Sequence, residues 1–360
     1  MHTRRSTLRS VVPLGLSLLA ASFHAPLEAQ ENYTLRLIRT YGAADVEDDT
    51  TRVGARGKAA GGSMFAAIAG IAQTPDSSVH VLDQEFRKIV TFRPDGTVVR
   101  VILGGMGEGP GEFREPADLI VTNRDRLSVL DYDLSRITLF DSRTGKLLRQ
   151  IRVQVANPLR VFAQGNDFWV MRPVIPTFPI PQAVKCDTTG RVVDQLPPLG
   201  PADRPFGGSM VMAFSGSGEI IVPLRQPGLW QVLSNGVSKR IGTPLFPDLK
   251  PPEIRDEGGY TTIGGMRAAT AGIGIWRQRV LILYRTQRLQ DKVPFPIAET
   301  VRHHLAIFDF AGRHLGSVEL PVGSQVNNKH FYVSPTTEHI FIAATEPFPQ
   351  VQEFELVERQ

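Results

Sequence analysis

Cysteine is almost absent from this chain, because Cys186 is the only one among 360 residues. A single cysteine excludes an intramolecular disulfide and a cysteine-based metal site. A strong charge of one sign is also missing, since 40 Lys and Arg stand against 36 Asp and Glu, for a net charge of +4. This small excess, without a basic stretch rich in aromatic residues, argues against nucleic acid as a partner.

Long apolar runs are missing from all but the first part of the chain. There, three arginines precede an apolar stretch at residues 11–23, and Ala29 ends a segment typical of signal cleavage. The stretch is shorter than the roughly 20 residues that a membrane-spanning helix needs. We therefore expect a signal peptide at residues 1–29 and a periplasmic or secreted protein without a membrane span. The paired arginines also suit twin-arginine export, and the sequence leaves both routes open.

Two segments of the chain repeat one pattern 48 positions apart. In each, a strand ending in aspartate (Asp83 or Asp131) is followed by a strand ending in phenylalanine (Phe92 or Phe140), a glycine turn and a further strand. Weaker copies follow along the chain. The turn glycines of the five copies are Gly96, Gly145, Gly190, Gly236 and Gly312. Four-stranded repeats at this spacing are typical of propeller blades.

These repeats predict an all-β fold, namely a six-bladed β-propeller of four-stranded antiparallel blades. A sixth copy supplies only three strands, so we expect the N-terminal strand to join the last blade and close the ring. No stretch has a sustained helical period, which argues against α/β folds. We expect residues 30–360 to form one domain. The predicted blades cover residues 64–103, 113–153, 158–197, 208–242, 262–322 and 329–360, the last together with 33–40.

A glycine-rich segment at residues 104–116 precedes the second repeat. Together with that repeat it resembles an NHL repeat across residues 104–145, and to a lesser degree across 68–100. The residues that carry the resemblance are Phe113, Pro116, Asp131, Arg136 and Phe140. NHL propellers bind proteins, peptides or RNA, and some relatives of the six-bladed fold are metal-dependent hydrolases or lyases. The resemblance implies a propeller rather than any one activity, because propellers carry unrelated functions.

The ends of the second strands provide a candidate binding site. In a propeller these ends point to one face, near the mouth of the central channel. The charged residues predicted there are Asp83, Asp131, Arg172, Arg225 and Arg285, with His304 near the same face. Guanidinium groups match carboxylate, phosphate or sulfate. We expect the three arginines to clamp an anionic or zwitterionic ligand, either a small molecule or part of a protein.

Two structural interpretations compete with this binding site. Asp83 with Arg87, and Asp131 with Arg136, are spaced to form local pairs that fix the loop between the second and third strands. The three arginines could equally form a solvated rim or ion pairs between blades. In either case the charged side chains would serve the fold and not a ligand.

Oxygen ligands near the starts of first strands suggest an alternative function. Glu115, Asp118 and Asn157 lie there in the second and third blades, and such ligands suit calcium. A calcium-dependent hydrolase or lyase at the channel mouth is therefore the alternative. The matching positions of the later blades offer no acid. We expect a non-enzymatic binding module without a cofactor.

Two further residues that can carry chemistry are assigned to the interior. Cys186 takes the position that phenylalanine holds in the first two repeats, so we expect a buried thiol that is no nucleophile. His80 lies within a strand and is expected to be a packed or edge residue.

Overall fold

The structure is a computed structural model that describes most of the chain beyond the predicted signal peptide. The described residues are 32–42, 63–122, 126–172, 183–200, 203, 211–234, 237–247, 255–256, 260–261, 265–289, 300–321, 326–345 and 347–359. The predicted signal peptide (residues 1–29) and the turn at Gly236 lie outside them. None of the described segments forms a helix with the length and apolar character needed to cross a membrane.

Six four-stranded antiparallel sheets, the blades, make up the fold, and in the first three the strands follow in chain order. Blade 1 contains β2 (Ile68–Gln73), β3 (Val79–Asp83), β4 (Lys88–Phe92) and β5 (Val98–Leu103). Blade 2 contains β6 (Pro116–Thr122), β7 (Arg126–Asp131), β8 (Arg136–Asp141) and β9 (Leu147–Arg152). Blade 3 contains β10 (Arg160–Gln164), β11 (Asp167–Met171), β12 (Ala183–Cys186) and β13 (Val192–Gln195).

The remaining blades follow the same plan, except that the last one takes a strand from the other end of the chain. Blade 4 contains β14 (Ala213–Phe214), β15 (Ile220–Pro223), β16 (Leu229–Ser234) and β17 (Val237–Gly242). A two-stranded hairpin of β18 (Arg255–Asp256) and β19 (Tyr260–Thr261) follows. Blade 5 contains β20 (Gly265–Trp276), β21 (Arg279–Leu289), β22 (Arg302–Asp309) and β23 (His314–Glu319). Blade 6 contains β24 (Val326–Val333), β25 (Ile340–Ala344), β26 (Gln350–Glu358) and β1 (Tyr33–Tyr41).

The predicted closure of the ring is confirmed, because β1 pairs with β26 as the outermost strand of blade 6. The pairing runs antiparallel from Tyr33 opposite Glu358 to Tyr41 opposite Val351. Inside this seam, the Tyr41 hydroxyl donates to Glu353 Oε2 at 2.6 Å, and His339 Nδ1 lies 2.6 Å from Glu353 Oε1. The first and last described strands therefore complete one sheet.

The core consists of six apolar clusters, each filled by two adjacent blades. Leu283 of blade 5 and Ile342 of blade 6 share one cluster, whereas Ile282 of blade 5 shares another with Trp230 of blade 4. Successive strand residues thus pack against opposite neighbours, because side chains alternate between the two faces of a sheet. A blade buries both faces only when it has a neighbour on each side, so the six blades stabilise one another.

The predicted glycine turns are formed where the structure describes them. Four of the turn glycines have a positive φ, a conformation that side chains other than glycine rarely adopt. They are Gly96 (90°), Gly145 (73°), Gly190 (88°) and Gly312 (95°).

Candidate functional site

One face of the ring carries the longer connections between strands. On this face, which we call the loop face, lie the connections from second to third strands and those from one blade to the next. Of these connections the structure describes residues 63–67, 104–115, 196–200, 243–247 and 300–301. On the opposite face, residues 334–339 form the longest connection between described strands. Binding residues are commonly placed on loops held by a rigid scaffold, so the loop face is the candidate functional surface.

Asp83 and Asp131 organise the backbone of the loop face. Asp83 accepts hydrogen bonds from the backbone N–H groups of Ala66, at 2.7 Å, and Phe86, at 2.9 Å. Asp131 accepts hydrogen bonds from the backbone N–H groups of Arg114 and Leu134. The donors lie 17 positions before and 3 positions after the aspartate in both blades. Each carboxylate therefore ties the entry of its own blade to the loop after its second strand.

Arg87 and Arg136 do not form the ion pairs with these aspartates that one interpretation of the sequence predicts. Arg87 Nε donates to the carbonyl of Arg114 at 3.1 Å. Arg136 donates to the carbonyls of Glu108 at 2.7 Å and Glu112 at 2.5 Å. Both arginines thus hold the glycine-rich segment before blade 2 through hydrogen bonds to its backbone carbonyls.

The three predicted clamp arginines all follow or lie in second strands near the loop face. Arg172 comes directly after β11, Arg225 follows β15, and Arg285 lies inside the long strand β21. The Nε–H groups of Arg172 and Arg285 are shielded from solvent and donate no hydrogen bond within the described part of the chain. Burial lowers the pKa of Arg225 and Arg285 because it removes the guanidinium from water.

The register of blade 5 places Arg285 and His304 on opposite faces of the sheet. In the β21–β22 pair, Tyr284 lies opposite His304, and Arg285 lies opposite His303. His304 therefore stacks on Tyr284, with ring centroids 5.0 Å apart, towards blade 4. Burial lowers the pKa of His304. The structure does not bring His304 to Arg285, which faces blade 6.

The candidate metal ligands have separate surroundings. Asp118 is buried, and its carboxylate accepts hydrogen bonds from Arg160 Nε at 3.0 Å and from the backbone N–H of Val161 at 2.9 Å. Glu115 accepts from Gln84 Nε2 at 3.2 Å, and Asn157 is exposed. Among the residues that the structure describes, no three His, Cys, Asp or Glu side chains come together as a metal site.

Arg160 is a residue of this region that the sequence analysis missed. The first strands of all six blades line a central channel of about 540 Å³, and Asp118 and Arg160 lie in its wall. Burial raises the pKa of Asp118, although the Arg160 guanidinium and two backbone N–H groups act in the opposite direction. Arg160 begins β10 and Asp118 is the third residue of β6, and a comparison of the starts of first strands between blades could have revealed the pair.

The remaining chemical candidates lie in the interior. Cys186 is fully buried, and burial raises the pKa of its thiol to about 11, so no thiolate is available near neutral pH. His80 is also buried, with its ring nitrogens 3.1 and 3.0 Å from the hydroxyls of Thr74 and Thr91. Cys186 packs in the cluster between blades 2 and 3, and His80 forms hydrogen bonds within blade 1.

Comparisons with known proteins support the architecture. The DUF5128 family, described as a 6-bladed beta-propeller, matches residues 67–172, which cover blades 1 and 2 and half of blade 3. This match includes the segment that resembles an NHL repeat, but it is a match to six-bladed propellers and leaves the NHL assignment a prediction. No curated protein matches the sequence.

Solved structures share the fold at low sequence identity. A Bacteroides fragilis protein described as exported has a TM-score of 0.56 and 11% identity, over 94% of this chain and 98% of its own. A streptogramin B lyase has a TM-score of 0.51 and 12% identity, over 92% and 100%. Virginiamycin B lyase from Staphylococcus aureus has a TM-score of 0.50 and 11% identity, over 90% and 100%. At this identity the likeness concerns the fold alone, because one propeller fold carries many functions.

Proposed function

We propose that this protein is an exported, non-enzymatic binding module that holds an anionic ligand on its loop face. The clamp consists of Arg172, Arg225 and Arg285. Export is inferred from the signal peptide at residues 1–29, and the NHL-like segment agrees with a binding role. The ligand carries a carboxylate, phosphate or sulfate group, because these anions match the forked donors of a guanidinium.

The observation that carries the proposal is the environment of Arg285. Its guanidinium is half-buried, burial alone lowers its pKa, and the described residues place no hydrogen-bond acceptor at its Nε. A partly desolvated cation without a counter-charge is unfavourable to the fold. A desolvated arginine can be retained because a bound anion compensates its charge. Side chains with strongly shifted pKa values are concentrated at active and binding sites.

The proposal predicts opposite effects of one substitution on stability and on binding. Arg285→Met removes the desolvated charge while it keeps an apolar stem, so the ligand-free protein should become more stable by about 1 kcal/mol. Sulfate and acetate should raise the melting temperature of the wild-type protein more than equal ionic strengths of chloride do. Sulfate also stabilises proteins without a binding site, so the test is the difference between variants: the increase should be smaller in Arg285→Met, Arg172→Gln and Arg225→Gln than in the wild type.

Arg313→Gln provides the control, because Arg313 is an exposed arginine on the opposite face of blade 5 and pairs with Asp309. It should leave the anion effect unchanged. If Arg225→Gln and Arg285→Met melt and respond to anions like the wild type, the clamp is wrong.

A calcium-dependent hydrolase or lyase is the alternative function. It would be favoured if calcium purified with the protein and if its removal by a chelator lowered the melting temperature.

A further inference from the structure

A small pocket opens between blades 2 and 3, at the end of their cleft that lies away from the loop face. Its volume is about 90 Å³. Blade 2 contributes two arginines to its wall, Arg126 from the start of β7 and Arg149 from β9. Blade 3 contributes Asn166, which precedes β11, and Thr188, which follows β12. We call this cavity the blade 2–3 pocket.

The register of blade 2 explains why both arginines reach this pocket. Arg149 lies directly opposite Leu139, and Arg126 lies opposite Asp141, two positions further along β8. Residues that lie opposite each other, or two positions apart on one strand, leave the same face of a sheet. Leu139 shares a core cluster with Phe168 of blade 3. The two arginines therefore leave the face of blade 2 that is turned towards blade 3.

The donors of the blade 2–3 pocket are accessible and unpaired. Arg126, Arg149, Asn166 and Thr188 are all exposed. Within the part of the chain that the structure describes, neither guanidinium forms an ion pair or a hydrogen bond, and the side chains of Asn166 and Thr188 form no hydrogen bond either. Four side chains that can donate hydrogen bonds thus share one small cavity.

Two carboxylates stand close to the pocket in sequence, and both are held in turns of their own blades. Asp141 accepts hydrogen bonds from the backbone N–H of Thr144 at 2.7 Å and from its hydroxyl at 2.8 Å. Asp187 accepts the same pair from Thr189, at 2.8 and 2.6 Å. Neither aspartate lies within ion-pair distance of Arg126 or Arg149. The positive charge of the pocket is therefore not neutralised by these neighbours.

The floor of the pocket is apolar. Leu139, Ile151 and Phe168 belong to its lining and to the core cluster between the two blades. Interactions between charges are stronger beside apolar groups than in bulk water, because the local dielectric constant is lower. The two guanidinium groups repel one another in this setting, and an anion that binds both would replace the repulsion with attraction.

We propose that the blade 2–3 pocket binds the phosphate group of a phosphate monoester. At neutral pH such a group carries a charge of about −1.5 to −2 and three strong acceptor oxygens. It would therefore balance both arginines and accept from their forked donors, with Asn166 and Thr188 as further donors. The volume suits a single phosphate group, because pockets for whole drug-sized molecules measure about 300–1,000 Å³. The organic part of the ligand would lie outside, beside the exposed Leu148 at the rim.

Other anions compensate the pocket less completely. A carboxylate carries one charge and two oxygens, and a sulfate monoester carries one charge on three oxygens. Each would leave the charge of one guanidinium unbalanced, so the two arginines select the doubly charged phosphate ester. The pocket lies at the opposite face from the clamp, and this inference is therefore independent of the proposed function.

Calorimetric titration of the purified mature chain with phenyl phosphate, phenyl sulfate and benzoate at constant ionic strength tests the selection. The titrations are made with the wild type and with Arg285→Met, which lacks a clamp arginine of the loop face. In both proteins phenyl phosphate should bind at least about 10-fold more tightly than the other two probes. Arg126→Gln and Arg149→Gln should each weaken phenyl phosphate about 10-fold. Their melting temperatures should not change, because both side chains are exposed.

Arg152→Gln is the matched control, because Arg152 is an exposed arginine on the same strand as Arg149 whose side chain leaves the other face of the sheet. It should bind phenyl phosphate like the wild type. If Arg152→Gln weakens binding as much as Arg149→Gln does, the effect is one of net charge and the pocket is wrong. Binding that is unchanged in Arg126→Gln and Arg149→Gln would also overturn the proposal. If benzoate or phenyl sulfate binds Arg285→Met as tightly as phenyl phosphate does, the selection of a phosphate ester is wrong.

Discussion

Asp118 of blade 2 accepts a hydrogen bond from Arg160 of blade 3, with 3.0 Å between Oδ2 and Nε. The same Oδ2 accepts the backbone N–H of Val161, the next residue on the first strand of blade 3. One carboxylate thus holds both the side chain and the backbone of its neighbour. The contact lies in the channel wall, where both side chains are largely withdrawn from solvent, at 3% and 15% exposure.

Replacing Asp118 with Asn should destabilise the protein by about 3 kcal/mol, because it removes the carboxylate charge that faces the largely buried Arg160 guanidinium. The double variant Asp118→Leu/Arg160→Leu should regain most of this loss, since apolar side chains of similar size often replace a buried ion pair at little cost. Urea unfolding of Asp118→Leu, Arg160→Leu and the double variant measures the coupling free energy between the two side chains. Additive losses would show that the pair does not act as a unit.

Tyr41→Phe should weaken the seam between β1 and β26 by about 1–3 kcal/mol, because the buried Glu353 carboxylate loses a hydrogen-bond donor. Burial and the bond to Glu353 raise the pKa of Tyr41, so the hydroxyl remains a donor throughout the accessible pH range. Thermal unfolding monitored by circular dichroism gives the loss. Arg36→Ala is the control on the same strand pair, because the Arg36–Glu355 ion pair is exposed and should contribute less than about 1 kcal/mol. Equal losses in the two variants would contradict this assignment.

His80 should make stability depend on pH in the acid range. Burial lowers its pKa from 6.5 to about 4, so the unfolded chain takes up a proton that the folded protein does not. This contribution is fully present above pH 6.5, is lost as the pH falls towards 4, and amounts to on the order of 3 kcal/mol. His80→Gln keeps a neutral polar side chain. The free energy of unfolding, measured with urea between about pH 4 and 6.5, should then depend less steeply on pH than in the wild type. An unchanged slope would assign the pH dependence to other groups.

Gly70→Ala should disrupt the contact between the first strands of blades 1 and 2. An added Cβ would lie 2.5 Å from the backbone nitrogen of Leu119 and 2.6 Å from its Cβ, so backbone must move. We expect a loss of about 3 kcal/mol or insoluble expression, in line with overpacked interiors. Gly216→Ala, where no atom lies within 4 Å of the added Cβ, should change stability by less than about 0.5 kcal/mol. Comparison of soluble yield and melting temperature checks both.

The sequence was sufficient to predict the blades because the blades repeat their chemistry as well as their strands. Asp83 and Asp131 stand 48 positions apart and accept backbone N–H groups at identical offsets on either side. Because the same hydrogen bonds are needed in each of these blades, the aspartate that accepts them recurs at a fixed spacing in the sequence. The closing strand was predictable for a similar reason, since a blade with three strands has an unpaired edge.

The positions of single side chains were less accessible from sequence. The first strands of blades 1, 2 and 5 each contain a bulge, and the residues opposite the position before it are Asp83, Asp131 and Tyr284. Tyr284 and not Arg285 therefore corresponds to Asp83, and a difference of one residue places a side chain on the other face of a sheet. The alignment of strand ends by sequence did not reveal this register. The partners of Arg87 and Arg136 were missed because they are backbone carbonyls, whose positions no residue type reveals.

The seam between β1 and β26 sets the order in which the protein is assembled. Tyr33 and Glu358, which form a hydrogen bond across it, are 325 positions apart in the chain. The strand that is synthesised first can therefore pair only after the last blade has been made, and contacts over such separations are slow to form. A nascent or prematurely terminated chain keeps an exposed edge on β1, open to pairing with other chains. Solubility of the product should thus depend on synthesis proceeding through β26.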